Sequence, residues 1–367
     1  MKLIPKGGHS MRNLIPAILL LGILAAQASA LSCNDKPNRY RTRDIFASVK
    51  ESPNQQFGSN RNPLFNNQVT NLFLDVFEPA GDTCARRPVV IFMWGGGFQT
   101  GTRQNESGTC RQFARRGFVC VTSDYRKGVN GEQSPRNFGT PAFMSTQDTR
   151  AAIRWLHKNA AAYRVDTNLI YVGGCSSGAY AANWTAYLDQ LSEIPSMVDK
   201  GALDGGIEGN SGNPGYGSKP AGVLALSGAV HDTNWIVKGD VPFAQAMCSG
   251  DPLVHPEGGI GGSQMQYYGG KAMAERAQHI GLLNFTLTYK GNCHCPRPIG
   301  PDGLDSTVDF FAKSAYTMMT SAATKLRPVV ALAPRDLTGD GGTWVDSRGR
   351  LRQAGKPFRP GLYFRNP

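Results

Sequence analysis

Ser176 lies in the run Gly174-Cys175-Ser176-Ser177-Gly178, between the apolar stretch Leu169–Val172 and a series of small residues. A Gly-x-Ser-x-Gly run is a weak pattern alone. With a strand before it and a helix after it, it is the setting of a nucleophile elbow. The turn is so tight that only glycine fits beside the serine, and the strain lifts the hydroxyl above the sheet edge. A second glycine run, Met93-Trp94-Gly95-Gly96-Gly97-Phe98, follows the unbroken apolar segment that begins at Val89. Consecutive glycines can aim backbone N–H groups at a developing alkoxide. Gly96 and Gly97 are the expected donors, with the Ser177 N–H as the third.

Acyl transfer by a serine needs a base and an acid, which in this setting follow the serine in the order acid, then histidine. Of the six histidines, His9 lies in the N-terminal segment, His157 precedes the serine and His279 falls inside a helical pattern. His231, His255 and His294 remain. His294 comes just after Phe285, Leu287 and Tyr289, which alternate with polar residues as in a strand, so it occupies the loop after the last strand and is the expected base. Asp251 opens the turn Asp251-Pro252-Leu253-Val254 after a strand-like run from Phe243, and is the expected acid; Asp232 is its rival. The acid would hold the imidazole tautomer and stabilise the imidazolium. This chemistry calls for no metal or organic cofactor. Cys293-x-Cys295 around His294 permits a zinc reading, but its neighbours suit a triad better.

These residues need a sheet wrapped by helices to hold them. From residue 71 onward short apolar runs alternate with helical stretches, the pattern of an α/β fold with a mostly parallel central sheet. The spacing predicts strands at Leu72–Phe77, Val89–Trp94, Phe118–Asp124, Leu169–Gly173, Val223–Leu226, Phe243–Cys248 and Phe285–Tyr289. It predicts helices at Thr146–Tyr163, Gly178–Leu191, Gln264–Ile280 and Ser306–Thr320. Two long insertions, Lys127–Phe143 and Ser192–Pro220, interrupt the alternation and read as lids or binding loops.

The motifs together resemble the secreted esterase branch of the α/β-hydrolases, the carboxylesterase and feruloyl-esterase-like proteins. The resemblance rests on Leu74-Asp75-Val76-Phe77-Glu78-Pro79, Trp94–Phe98, Ser123-Asp124-Tyr125-Arg126, the run from Asp148 to Leu156, and Gly174–Gly178, in the order the family uses. It covers residues 70–315, about two-thirds of the chain, and is specific to the family, not to a substrate. Families with this glycine loop usually carry histidine where Trp94 stands, so the loop's anchoring should differ while its main-chain donors remain. The arrangement Cys175-Ser176 … Asp251 … His294-Cys295 is similar to the motif of tannases and feruloyl esterases. It implies a Cys175–Cys295 disulfide tying the two catalytic loops; the alternative is a buried free Cys175. It leans toward feruloyl or acetyl esters of plant polysaccharide, with a polyester depolymerase of the polyhydroxyalkanoate type or a general carboxylesterase or lipase as the other readings. A non-catalytic binding protein with a hydrolase shell is less well matched to the complete set of catalytic residues, and a peptidase to a hydrolase core that no propeller or other gating domain precedes.

The remaining composition bears on location. Lys2, Lys6 and Arg12, the apolar stretch Leu14–Ala26 and Ala28-Ser29-Ala30 read as a cleavable export signal over 1–30. An uncleaved anchor, or a lipoprotein with Cys33, is the alternative. Removing the segment takes the net charge from +12 to +9. In an oxidising compartment eight cysteines favour disulfides; Cys248–Cys293 is a further expected pair, and Cys33, Cys84, Cys110 and Cys120 stay open. The expectation is a secreted, extracellular or periplasmic protein with an ester substrate, no nucleic-acid partner and no stable membrane insertion. Asn105, Asn183 and Asn284 open glycosylation sequons in form. The organisation reads as signal 1–30, an irregular polar strap 31–70, a catalytic domain 71–324, and an arm or sorting tail 325–367.

Overall fold

The computed structural model describes residues 33, 35–299, 305–324, 343–345 and 351–353. The export segment expected at 1–30 and most of the tail lie outside these. Along the chain the strands β1 (Val49–Asn62), β2 (Gln68–Pro79) and β3 (Arg87–Met93) come first, then helix α1 (Ser107–Ala114) and β4 (Val119–Ser123). Helix α2 (Pro135–Lys158), β5 (Val165–Cys175) and α3 (Ser177–Tyr187) lead to β6 (Gly222–Leu226), β7 (Ala229–Val230) and β8 (Phe243–Cys248). Then follow β9 (Gly259–Ile260), β10 (Gln266–Gly269), α4 (Gly270–Ile280), β11 (Asn284–Tyr289) and α5 (Ser306–Thr324). A short antiparallel pair, β12 (Thr343–Val345) and β13 (Leu351–Gln353), lies in the tail.

Eight strands form one sheet in the order β1-β2-β4-β3-β5-β6-β8-β11. β1, β2 and β4 pair antiparallel, and every pairing from β4 through β3 to β11 is parallel. Every residue of β3 is buried, as a central strand covered on both faces must be. Alternate residues supply two cores. Val89, Ile91 and Met93 face a cluster that includes Ile153 of α2, Ala181 of α3 and Met273 of α4. Val90 and Phe92 face a second cluster with Phe113 of α1 and Phe311 of α5. This is the α/β-hydrolase layering, with helices on both faces of a largely parallel sheet.

Several elements depart from the sequence expectation. The polar strap contains β1, fourteen residues long. An edge strand with one face toward water has no need of apolar residues, because its hydrogen bonds come from β2. Helix α2 begins at Pro135, eleven residues before the expected start at Thr146. Ser134 caps it by accepting from the Asn137 N–H, Pro135 stands in the first turn, and Pro141 is carried inside the helix. The first insertion is therefore half helix. The run expected as one helix from Gln264 opens instead as β10, which joins β7 and β9 in a small separate sheet, so α4 starts only at Gly270. Helix α1 carries no expectation from sequence; at eight residues its periodicity is too short to register.

The second insertion is fastened down on α2. Gln147 donates to the carbonyls of Ala202 and Gly206 at 3.0 and 2.7 Å, and Arg150 and Arg154 both grip Glu208 at 2.8 and 2.9 Å. The buried Arg126–Asp148 pair at 3.0 Å receives the Ser211 hydroxyl as well. Two of the three sequon asparagines, Asn183 and Asn284, are buried, which leaves Asn105 as the one with an exposed side chain.

Candidate active site

β5 runs into Ser176, and α3 starts at the next residue. Ser176 has φ 54° and ψ −121°, a left-handed conformation that a residue with a Cβ adopts only under constraint. The constraint is steric. A Cβ at Gly178 would strike the carbonyl oxygens of Met93 and Trp94, so the helix can approach β3 only with glycine there. The Ser176 N–H donates to the Leu226 carbonyl at 2.9 Å, which registers the turn on the end of β6.

The glycine loop lies directly against this turn. A Cβ built on Gly95 would fall 3.1 Å from Ser176 Cβ. Gly96 and Gly97 are exposed beyond it, and the Gly96 carbonyl accepts from the Gln99 and Thr100 N–H groups at 3.0 and 3.1 Å, which closes the loop on itself. Trp94, standing where related loops carry histidine, is buried; its Nε1–H donates to the Ser123 carbonyl at 3.2 Å. Its ring stacks on Tyr125 with centroids 4.0 Å apart. The Tyr125 hydroxyl in turn donates to the Trp94 carbonyl at 2.9 Å and lies 3.3 Å from Ser177 Oγ. One phenol thus joins the loop to the residue after Ser176.

Asp251 and His294 come together. His294 Nδ1 is 2.9 Å from each carboxylate oxygen of Asp251. With Nδ1–H donating there, Nε2 is the free ring nitrogen, the form a general base requires. Asp251 is buried, and its Oδ1 also accepts from the Leu253 and Val254 N–H groups, each at 3.0 Å. Burial pushes this carboxyl up, but His294, the Val254 N–H, the Ser227 hydroxyl and the Leu253 N–H together hold it below its ordinary range. The rival Asp232 caps a short turn through the Asn234 N–H at 2.8 Å. His231 bonds the Gln266 carbonyl, and His255 pairs with Glu257 at the surface. His279 is exposed on α4.

The histidine loop is held from several sides. Disulfides link Cys248 to Cys293 and Cys175 to Cys295, with Cα–Cα distances of 5.5 and 5.9 Å. The second of these joins the neighbour of Ser176 to the neighbour of His294. A third disulfide, Cys33–Cys84, lies apart from the site. Two residues escaped the sequence reading. Ser227, just past β6 with φ 51°, accepts from the Cys295 N–H at 3.0 Å, and its hydroxyl helps to lower the Asp251 carboxyl. Arg297 makes a two-pronged contact with the buried Glu106 at 2.7 and 2.8 Å, and also reaches Thr109 on α1. Nothing local marks either residue; their partners Cys295 and Glu106 are 68 and 191 positions away. Among the described residues no group of three or more His, Cys, Asp or Glu side chains could hold a metal ion, and no helix is long and apolar enough to cross a membrane.

Residues 74–213 match the BD-FAE family model. Carboxylesterase 3 of Pongo abelii is 32% identical over 132 residues, which are 35% of this chain and 23% of that protein. Fumonisin B1 esterase of Sphingopyxis macrogoltabida is 30% identical over 118 residues, 30% of this chain and 22% of that protein. The match thus spans under a quarter of the length of these curated relatives. Among solved structures, Thermogutta terrifontis esterase 2 phosphorylated by paraoxon aligns with a TM-score of 0.50 at 20% identity, covering 79% of this chain and 99% of that one. A truncated carbohydrate esterase from gut microbiota aligns at 0.52 and 17% identity, covering 74% and 98%. The structural likenesses speak for the fold, and the family-model match spans the segment that carries the glycine loop and the elbow. The chain has the α/β-hydrolase fold.

Proposed function

We propose that the protein is a secreted serine carboxylic-ester hydrolase. Ser176 Oγ attacks the ester carbonyl while His294 Nε2 takes its proton. The Gly96, Gly97 and Ser177 N–H groups receive the oxyanion. Collapse expels the alcohol, which leaves with the proton from His294. Water, deprotonated by the same imidazole, then attacks the acyl-enzyme and releases the acid. The observation that carries this reading is the centring of His294 Nδ1 on both oxygens of Asp251, on a loop tied through Cys295 to the neighbour of Ser176. The carboxylesterase names of the sequence relatives support the reaction class. The three disulfides support passage through an oxidising compartment.

For the substrate, the reading is a feruloyl- or acetyl-type ester of plant polysaccharide. The Cys-Ser and His-Cys pairing supports it, together with a structural neighbour described as a carbohydrate esterase. Ser176→Ala is expected to lose at least about 10³-fold in kcat on p-nitrophenyl acetate, with folding unchanged by circular dichroism. Retained turnover in that variant rejects the serine mechanism. Side-by-side rates on methyl ferulate, acetylated xylan and polyhydroxybutyrate decide the substrate; a clear preference for the polyester overturns the polysaccharide reading.

A further inference from the structure

Two cysteines stand outside the three disulfides. Cys110 is on α1 and Cys120 on β4, where it is the register partner of Phe77 on β2 and of Val90 on β3. Both are fully buried, in the core cluster that also holds Phe77, Phe113 and Phe118. The structure carries them as two thiols, yet their Sγ atoms are only 2.6 Å apart. That is well inside the non-bonded contact of two sulfur atoms and about half an ångström beyond an S–S bond of ~2.05 Å. A thiol is a weak donor, so a hydrogen bond does not draw two sulfurs so close.

The surroundings exclude the usual reasons for keeping a thiol pair. Burial, with Cys120 alongside, pushes the Cys110 thiol well above its ordinary range, so it is no reactive thiolate. Neither sulfur reaches solvent, so the pair is no accessible redox sensor. We propose that Cys110 and Cys120 form a fourth disulfide in the exported protein, so that all eight cysteines are paired. In its formation each thiol loses a proton and the two sulfurs join. The two electrons pass to a disulfide oxidant such as glutathione disulfide, which is cleaved to two thiols. Because the fold excludes both sulfurs from solvent, the exchange takes place before α1 closes on the sheet.

The bond would pin α1 to β4. Cys110 directly follows Thr109, and Glu106 lies one turn before it. These are the two side chains that hold Arg297, three residues from His294. The link is thus part of the platform under the histidine loop, although the proposal does not depend on the catalytic reading.

The test is a thiol map of protein obtained by export or refolded with glutathione disulfide. The chain is unfolded in acidic guanidinium, alkylated before any reduction, digested and weighed. The expected result is a cross-linked peptide pair containing Cys110 and Cys120, and no alkylated cysteine. A Cys120→Ser variant should then show one alkylated cysteine, Cys110. The proposal is overturned when both cysteines are alkylated in wild-type molecules whose other six remain blocked.

Discussion

The Ser176 side and the His294 side, the proposed nucleophile and base, are built by opposite means. Ser176 sits in one strand–turn–helix unit that closes sterically on the end of β3, where Gly178 lets α3 press on the backbone of Met93 and Trp94. His294 has no such local device. Its position depends on Asp251 after β8, Ser227 after β6, Cys175 at the end of β5 and Glu106 before α1. A motif that stores its geometry in a tight turn is specified by a few adjacent residues. A loop that could adopt many conformations is specified only when distant groups remove them, and loop closure over long separations carries an entropic cost that cross-links take away.

The comparison can be broken at the base side in graded steps. Asp251→Asn should be the most damaging, with a loss of kcat of about 10⁴-fold, because the amide favours the wrong imidazole tautomer while leaving the geometry in place. Steady-state rates on p-nitrophenyl acetate, measured below the variant's own thermal midpoint, would check this; a loss of under tenfold would remove Asp251 from the mechanism. Cutting the Cys175–Cys295 tie by paired serine substitution frees a separation of 120 residues. The link contributes on the order of 5 kcal/mol through the unfolded chain, and a displacement of the base by ~1 Å costs roughly 10²-fold in rate. Calorimetry and kcat measured on the same sample separate the two effects. A lower midpoint with undiminished kcat would show that the disulfide stabilises the fold without placing the histidine.

Ser227→Ala should cost least, about tenfold in kcat, the worth of one hydrogen bond to a charged group. It carries a pH signature as well. The Asp251 carboxyl is held below its ordinary range, so its contribution to stability is fully present above about pH 3.9 and is lost as pH falls through the lower folded value. Without the Ser227 hydroxyl that contribution should be smaller and its loss complete at a higher pH. Acid unfolding of the variant beside the wild type reads the shift, and superimposed acid limbs would deny Ser227 its bond to the carboxylate.

Much of the fold was legible because it is written in local periodicity. The unbroken apolar run of β3, the alternation in β11 and the small-residue start of α3 each announce an element without reference to any other. What stayed hidden was polar or irregular for a tertiary reason. β1 is an edge strand whose polar residues face water, and α2 tolerates Pro141 because its whole second half is packed in the core. At the site, Trp94 was visible only as a departure from the usual histidine. Its stacking on Tyr125 and its bond to Ser123 required the β4 end to be in place.

The sequence by itself determined the elbow and the glycine loop, since a site that excludes a Cβ demands glycine, and glycine at Gly95, Gly174 and Gly178 is legible as a residue type. Only the tertiary structure decided which aspartate the histidine meets, that Ser227 receives the Cys295 N–H, and that Arg297 is gripped by Glu106. Those choices come from strand order and register in a sheet whose neighbours are far apart in sequence, and no local pattern of residues encodes a distance across it.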